Sequence, residues 1–149
     1  MQIKPRIKSL IKNQERIATL EFRSGKKHNI SHKKTALIYC ENQFGRVDGK
    51  TAAALVRHSE IYTIVGVIDS SLTGKDAGKE LGEEKSGIPI FASLDDALGG
   101  ITYTPDFYIY GKAPLEPYIP NNERLMILEA MDKGMDIISG LHQFFSEDP

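Results

Sequence analysis

Apolar residues along this chain gather in short continuous runs, and segments of helical periodicity fall between them. The first run is Ala36-Leu37-Ile38-Tyr39-Cys40. A polar, glycine-bearing turn from Glu41 to Gly49 follows it, and an amphipathic helix is predicted from about Lys50 to His58. Strand, glycine turn, helix is the opening unit of a doubly wound α/β fold, where backbone N–H groups at the helix start attract anions. The second run, Tyr62 to Asp69, is almost uninterrupted. That suits a parallel strand covered on both faces.

The rest of the chain repeats the alternation. Ser70 to Gly87 reads as a charged, glycine-rich loop with one helical turn around Asp76–Leu81. A short strand is predicted at Ile88–Phe91. Ser93 then caps a helix with Asp95 and Asp96 in its first turn, reaching Leu98 and stopped by Gly99 and Gly100. Asp106–Tyr110 is the fourth strand, and a loop from Gly111 to Pro120 carries three prolines. Asn121 or Asn122 is placed to cap the next helix, which carries Leu125, Ile127, Leu128 and Met131 and ends at Gly134. Met135–Ser139 is the fifth strand. Gly140-Leu141-His142 leaves it, and an acidic tail closes the chain.

Alternating strands and helices with short connections imply a mostly parallel, doubly wound sheet of about five strands. Ligands in such sheets sit outside the carboxyl ends of the strands. That edge would hold Cys40, Glu41, Asp69, Gly111, Lys112, Gly140 and His142.

Charge separates the N-terminus from this body. Residues 1–34 carry seven Lys and three Arg against two Glu, a balance of +8; the remainder has nine basic and eighteen acidic side chains, a balance of −9. Apolar positions at Ile7, Leu10, Ile11, Ile17 and Leu20 give this basic arm a loosely helical period. The expected division is an arm at 1–34 and an α/β domain at 35–149. An arm folding back on its acidic body is preferred over nucleic-acid binding, because Phe22 is its only aromatic residue and base stacking wants more. No apolar run approaches the roughly 18 residues of a membrane span. The N-terminus lacks the apolar core of a secretory signal. Cys40 is the only cysteine, so an intrachain disulfide is excluded. A cytoplasmic location fits these features.

The segment Gly45-Arg46-Val47-Asp48-Gly49-Lys50-Thr51 is one residue short of a phosphate-binding P-loop. A shorter loop does not close round a triphosphate in the same way. Two readings of it stand. Lys50, Thr51 and the first amides of the helix meet a phosphate, pyrophosphate or carboxylate, or Gly45 and Gly49 serve the turn while Lys50 stays solvated. Asp69, at the end of the second strand, occupies the place where an acid hydrogen-bonds a ribose in dinucleotide sheets. It equally begins a loop. Thr73-Gly74-Lys75-Asp76-Ala77-Gly78 offers a cation, Lys75, that folds over a phosphate or lies in solvent. His142 is a candidate general base, against a structural role beside Gly140 and Phe144. No basic neighbour in sequence activates the Cys40 thiol. His28 and His32 lie in a polar linker and argue only weakly for a metal.

Four segments in order carry a resemblance: ENQFGRVDGKTAAALVRHS (41–59), VGVIDSSLTGKDAG (65–78), GIPIFASLDDAL (87–98) and GMDIISGLHQFFSEDP (134–149). Together they resemble the N-terminal Rossmann-like domain of a two-domain family in which a P-loop domain follows. That family was first described as a domain of unknown function, and it includes D-glutamate N-acetyltransferases. Here Ala113-Pro114 is followed by Leu115-Glu116-Pro117, where the family usually has a glycine pair. The chain stops at Pro149, where the second domain would begin. The resemblance therefore implies an acetyltransferase-like component that is inactive alone. The order of VGVID, GIPIF, Asp95-Asp96-Ala97-Leu98 and ILEAMDKGMDII is also similar to the CoA-binding domain of succinyl-CoA ligases. That similarity implies CoA or acetyl-CoA as ligand.

The leading expectation is a Rossmann-like domain binding a phosphate-bearing ligand, CoA-like or nucleotide. Gly45, Gly49, Lys50, Thr51 and Lys75 would face its phosphates, Asp69 a ribose or amine, and His142 would be the base. The competing expectation is a non-catalytic partner or regulatory module, completed by a separate P-loop chain or a homo-oligomer. An NAD-dependent oxidoreductase would need a nicotinamide site and a substrate domain, and neither is visible.

Overall fold

Period-two alternation in the first strand builds two cores at once. In the computed structural model, Leu37 and Tyr39 join one buried cluster, while Ala36, Ile38 and Cys40 join another on the opposite face. The structure describes residues 32–113 and 118–140. Contacts divide the chain into Met1–His32 and Lys33–Pro149, and the elements below belong to the second unit. The expected helical arm, the Pro114 to Pro117 stretch and His142 lie outside the described residues.

The elements are β1 (Lys34–Tyr39), a 3-10 turn (Val47–Gly49), α1 (Lys50–His58), β2 (Tyr62–Ile68), a second 3-10 turn (Ser70–Leu72), α2 (Ala77–Glu80), β3 (Ile90–Phe91), α3 (Leu94–Gly100), β4 (Phe107–Tyr110), α4 (Asn121–Asp132) and β5 (Asp136–Ser139). The five strands form one sheet in the order β3-β2-β1-β4-β5, and every pairing is parallel. Ala52 of α1 and Ala77 of α2 pack on one face; Leu94 and Ala97 of α3, with Ile127 and Ala130 of α4, pack on the other. A sheet so covered needs apolar side chains on both sides of its central strands, which is why β1 and β2 read as runs.

Several boundaries differ from the expectation, each for a local reason. Ile88 and Pro89 are not part of β3. The Ile88 carbonyl accepts from Ala77 N, and Pro89 bridges antiparallel to Asp76. Gly99 and Gly100 do not stop α3, which runs through both, with Ile101 at the C-cap. Gly100 is needed for space: a Cβ there would lie 2.8 Å from the Phe91 ring. Neither Asn121 nor Asn122 caps α4. Pro120 holds the cap position, with no side-chain hydrogen bond.

The end of α4 follows the expectation. Gly134 has φ +93°, Gly134 N–H donates to Met131 O, and Met135 N–H donates to Ala130 O. These two bonds are the Schellman pattern, which closes the last carbonyls and turns the chain into β5. One irregularity marks β1 and β2: the register slips between Ala36 and Leu37, so that Leu37 pairs with Gly66. Gly66 is fixed by packing, since a Cβ there would meet the Phe91 ring at 2.6 Å.

Candidate functional site

The strand order reverses direction between β1 and β4. Their carboxyl ends are the topological switch point, the place where open α/β sheets form a ligand crevice. Residues Cys40 and Glu41 leave β1 there, and Gly111 and Lys112 leave β4. The two exits are stitched together. Gly111 N–H donates to Tyr39 O at 2.8 Å, and Ala113 N–H donates to Asp48 O at 2.7 Å. Gly111 also lets α1 approach the sheet, because a Cβ would lie 2.7 Å from Ile38 Cγ2 and 3.0 Å from Ala52 Cβ.

The loop after β1 is more tightly wound than the sequence indicates. Before α1 begins at Lys50, Val47–Gly49 form a 3-10 turn, and Gly49 N–H donates to Arg46 O. Gly45 has φ +77°, a region that favours glycine. Gly49 has negative φ but no room, since its Cβ would sit 2.0 Å from Gln43 O. Both glycines therefore shape the turn. Lys50 and Thr51 are exposed in the first turn of α1.

Gly45 and Lys50 line a cleft of about 350 Å³ with Arg46, Arg57, His58 and Glu80. Its charge is mostly positive. Arg57 is fixed there, with Nε on the Glu83 carboxylate and a terminal nitrogen 3.2 Å from Leu81 O. Thr51, Asp69 and Lys75 do not line this cleft. Lys75 pairs with Glu80 at 3.3 Å instead.

Asp69 is fully buried, and its carboxylate is committed to the chain itself. Oδ2 accepts from Phe44 N–H at 3.1 Å; Oδ1 accepts from Ser71 N–H at 3.0 Å and from the Ser71 hydroxyl at 2.6 Å. As arranged, it locks the β1–α1 loop to the start of the β2–α2 loop. Glu41 lies alongside and accepts from Ser70 N–H at 2.8 Å and from the Ser70 hydroxyl. Cys40 is buried, and burial, with the Asp69 carboxylate nearby, pushes its thiol up to about 12. It is a protonated packing residue at neutral pH.

A second polar group at the switch point is not among the expected site residues. Glu123, in the first turn of α4, is only 4% exposed. It accepts from the Tyr39 hydroxyl at 3.2 Å, from the Tyr110 hydroxyl and from the Lys112 ammonium. Tyr39 stacks between Tyr108 and Tyr110, with ring centroids 6.0 and 5.6 Å away. Burial and the Glu123 carboxylate raise the pKa of both Tyr39 and Tyr110, so both stay protonated donors. Tyr108 Oη is buried without a hydrogen-bond partner among the described residues. The available signal was the spacing Glu123, Ile127, Ala130, which puts the acid on the buried stripe of α4.

Among the described residues, no three metal-ligating side chains come together, and no helix is long and apolar enough to cross a membrane.

A family model described as "Domain of unknown function (DUF1611_N) Rossmann-like domain" matches residues 70–149. Among solved structures, the crystal structure of a DUF1611 family protein from Anabaena variabilis is similar at 30% identity and a TM-score of 0.67. The match covers 78% of this chain and 32% of that one, so the chain spans under a third of that relative's length. No match was found among curated proteins.

Proposed function

The chain belongs to the DUF1611_N family of Rossmann-like domains, and from that premise we propose that it binds a phosphate-bearing ligand, CoA-like or nucleotide, at the carboxyl ends of its strands. The observation that carries this reading is the cleft that opens at the β1–α1 loop, lined there by Gly45, Arg46 and Lys50 and further along α1 by Arg57 and His58. The strand order supports it, because the β3-β2-β1-β4-β5 arrangement sets that loop next to the switch point. In this reading Lys50 and Arg46 meet phosphate oxygens, and Gly45 lets the backbone come close. Gly49 and Asp69 hold the loop in shape. Thr51 and Lys75 take part only if the ligand extends beyond the cleft. The finer reading is a component related to D-glutamate N-acetyltransferases, with acetyl-CoA or CoA as ligand. It rests on the motif resemblance alone.

The test is a thermal-shift panel of acetyl-CoA, CoA, NAD, ATP and D-glutamate on the protein and on Lys50→Ala. A ligand at a hundred times its Kd stabilises by about 2.7 kcal/mol, a readable shift for a domain of this size. Stabilisation by CoA species that Lys50→Ala abolishes supports the reading; equal shifts in both proteins count against it.

A second reading is a non-catalytic module that works with a further domain. This reading rests on the motif resemblance, in which a P-loop domain follows the Rossmann-like one. Silence across the whole ligand panel, with co-purification of a second chain, would support it.

A further inference from the structure

The cleft that Gly45 and Lys50 line has two unlike ends. It runs along one face of α1, since Lys50, Ala53, Ala54 and Arg57 lie three and four residues apart on that helix. At the loop end, the side chains of Arg46 and Lys50 have no hydrogen-bond or ion-pair partner among the described residues, so their charge is uncompensated. Glu80, the acid in the lining, is already paired with Lys75. The far end is charge-balanced. There the Arg57 guanidinium faces the Glu83 carboxylate, and a terminal nitrogen donates to Leu81 O at 3.2 Å. These two bonds fix the planar group in the cleft wall, where its side chain keeps 34% of its exposure. Between the two ends the lining is apolar: Ala53, Ala54 and Leu81.

An anion gains little at the Arg57 end, because that charge is spent on Glu83. A flat ring gains more. A guanidinium already paired through its edge still offers its planar face for stacking, and methyl-sized side chains leave room for a ring against the helix. From Lys50 to Arg57 the helix rises about 10 Å, seven residues at about 1.5 Å each. That is about the length of a mononucleotide from phosphate to base. A cleft of about 350 Å³ is near the lower end for small-molecule pockets, which suits one nucleotide unit rather than a dinucleotide.

We infer that the bound part of the ligand is a mononucleotide unit laid along α1, its phosphate at Arg46 and Lys50 and its base against Ala53, Ala54 and the Arg57 guanidinium. The phosphate end rests on the proposed function; the aromatic base and the direction of the ligand are added to it. The unit is either a free nucleotide or the nucleotide end of a larger cofactor such as CoA.

The experiment titrates the isotope-labelled full chain with AMP, with ribose 5-phosphate and with CoA, and reads dissociation constants from the amide resonances of Arg46 to His58. AMP is expected to bind about tenfold or more tightly than ribose 5-phosphate, which carries the same phosphate and no base. Lys50→Ala is expected to weaken both. Ala54→Leu fills the floor at an exposed helix position, and Arg57→Lys keeps a cation beside Glu83 while removing the planar face. Each is expected to bring the preference for AMP close to one. On the unmutated protein, nuclear Overhauser contacts from the adenine ring protons to the Ala53 and Ala54 methyls are expected, and they require no variant. CoA binding more tightly than AMP identifies the nucleotide end of a cofactor; CoA binding no more tightly identifies a free nucleotide. Equal affinity for AMP and ribose 5-phosphate, both dependent on Lys50, overturns the inference and leaves the proposed function standing. A preference for AMP that survives both Ala54→Leu and Arg57→Lys overturns it too. Binding of none of the three compounds removes the proposed function along with it.

Discussion

The carboxylate of Asp69 accepts the backbone N–H of Phe44 at 3.1 Å across 25 residues of chain. This bond ties the loop after β1 to the end of β2, and the shape of the cationic cleft depends on that loop. Asp69→Ala leaves the buried Phe44 N–H and the part-buried Ser71 N–H without their acceptor. The expected loss is about 1–3 kcal/mol of stability in urea denaturation. A loss near zero would mean that the loop holds itself.

Two glycines separate steric from conformational need. Gly49→Ala places a methyl 2.0 Å from Gln43 O, so the turn must shift. Overpacking of this kind costs about 1–3 kcal/mol. Gly99 lies inside α3 with open space around it. Gly99→Ala is expected to stabilise by about 0.5–1 kcal/mol, because alanine favours helix and restricts the unfolded chain. Thermal denaturation of the two variants should move in opposite directions.

Lys112 and Glu123 form the one ion pair among the described residues in which both side chains are largely buried. Breaking such a pair from one side costs more than removing both charges. Lys112→Met is expected to lose about 2–3 kcal/mol, and adding Glu123→Gln is expected to recover most of it. Equal stability of the single and double variants would show that the pair is not coupled.

Asp76 caps α2 and makes acid stability measurable. Its carboxylate is held at about 2, first by the backbone N–H of Ser86 at 2.9 Å and then by Lys79 N–H, Gly87 N–H and the Ser86 hydroxyl. A depressed folded-state pKa stabilises the protein above the ordinary value of 3.8, and the gain is lost as pH falls through about 2. Asp76→Ala should therefore melt below the unmutated protein at about pH 6, and the gap should narrow as the pH falls from about 4 to about 2. A constant gap would place the role of Asp76 in packing.

The strands were largely legible along the chain, because strands covered on both faces must be apolar runs, and Ala36–Cys40 and Tyr62–Asp69 are such runs; their order in the sheet was not. The cap of α3 was legible for a local reason, as Ser93 accepts from the amide three residues on; the Asp76 cap of α2 was not read. Long-range contacts were not. Nothing near Gly100 announces that Phe91 needs its missing side chain, so the glycine pair reads as a stop. Glu123 reads as an ordinary first-turn acid until the fold brings Tyr39, 84 residues away, onto its carboxylate. Asp69 reads as an open acceptor for the same reason, since its partner Phe44 is set by tertiary structure. Gly45 and Lys50 were read together from their spacing, but the Arg57 and His58 side of the cleft follows only from how α1 packs beside α2.

Calorimetric titration of CoA into the protein and into Lys50→Ala decides whether the cleft of the β1–α1 loop takes a phosphate-bearing ligand. Saturable binding that weakens about tenfold or more in the variant is expected. Identical binding in the two proteins, or no binding in either, would rule the cleft out as that site.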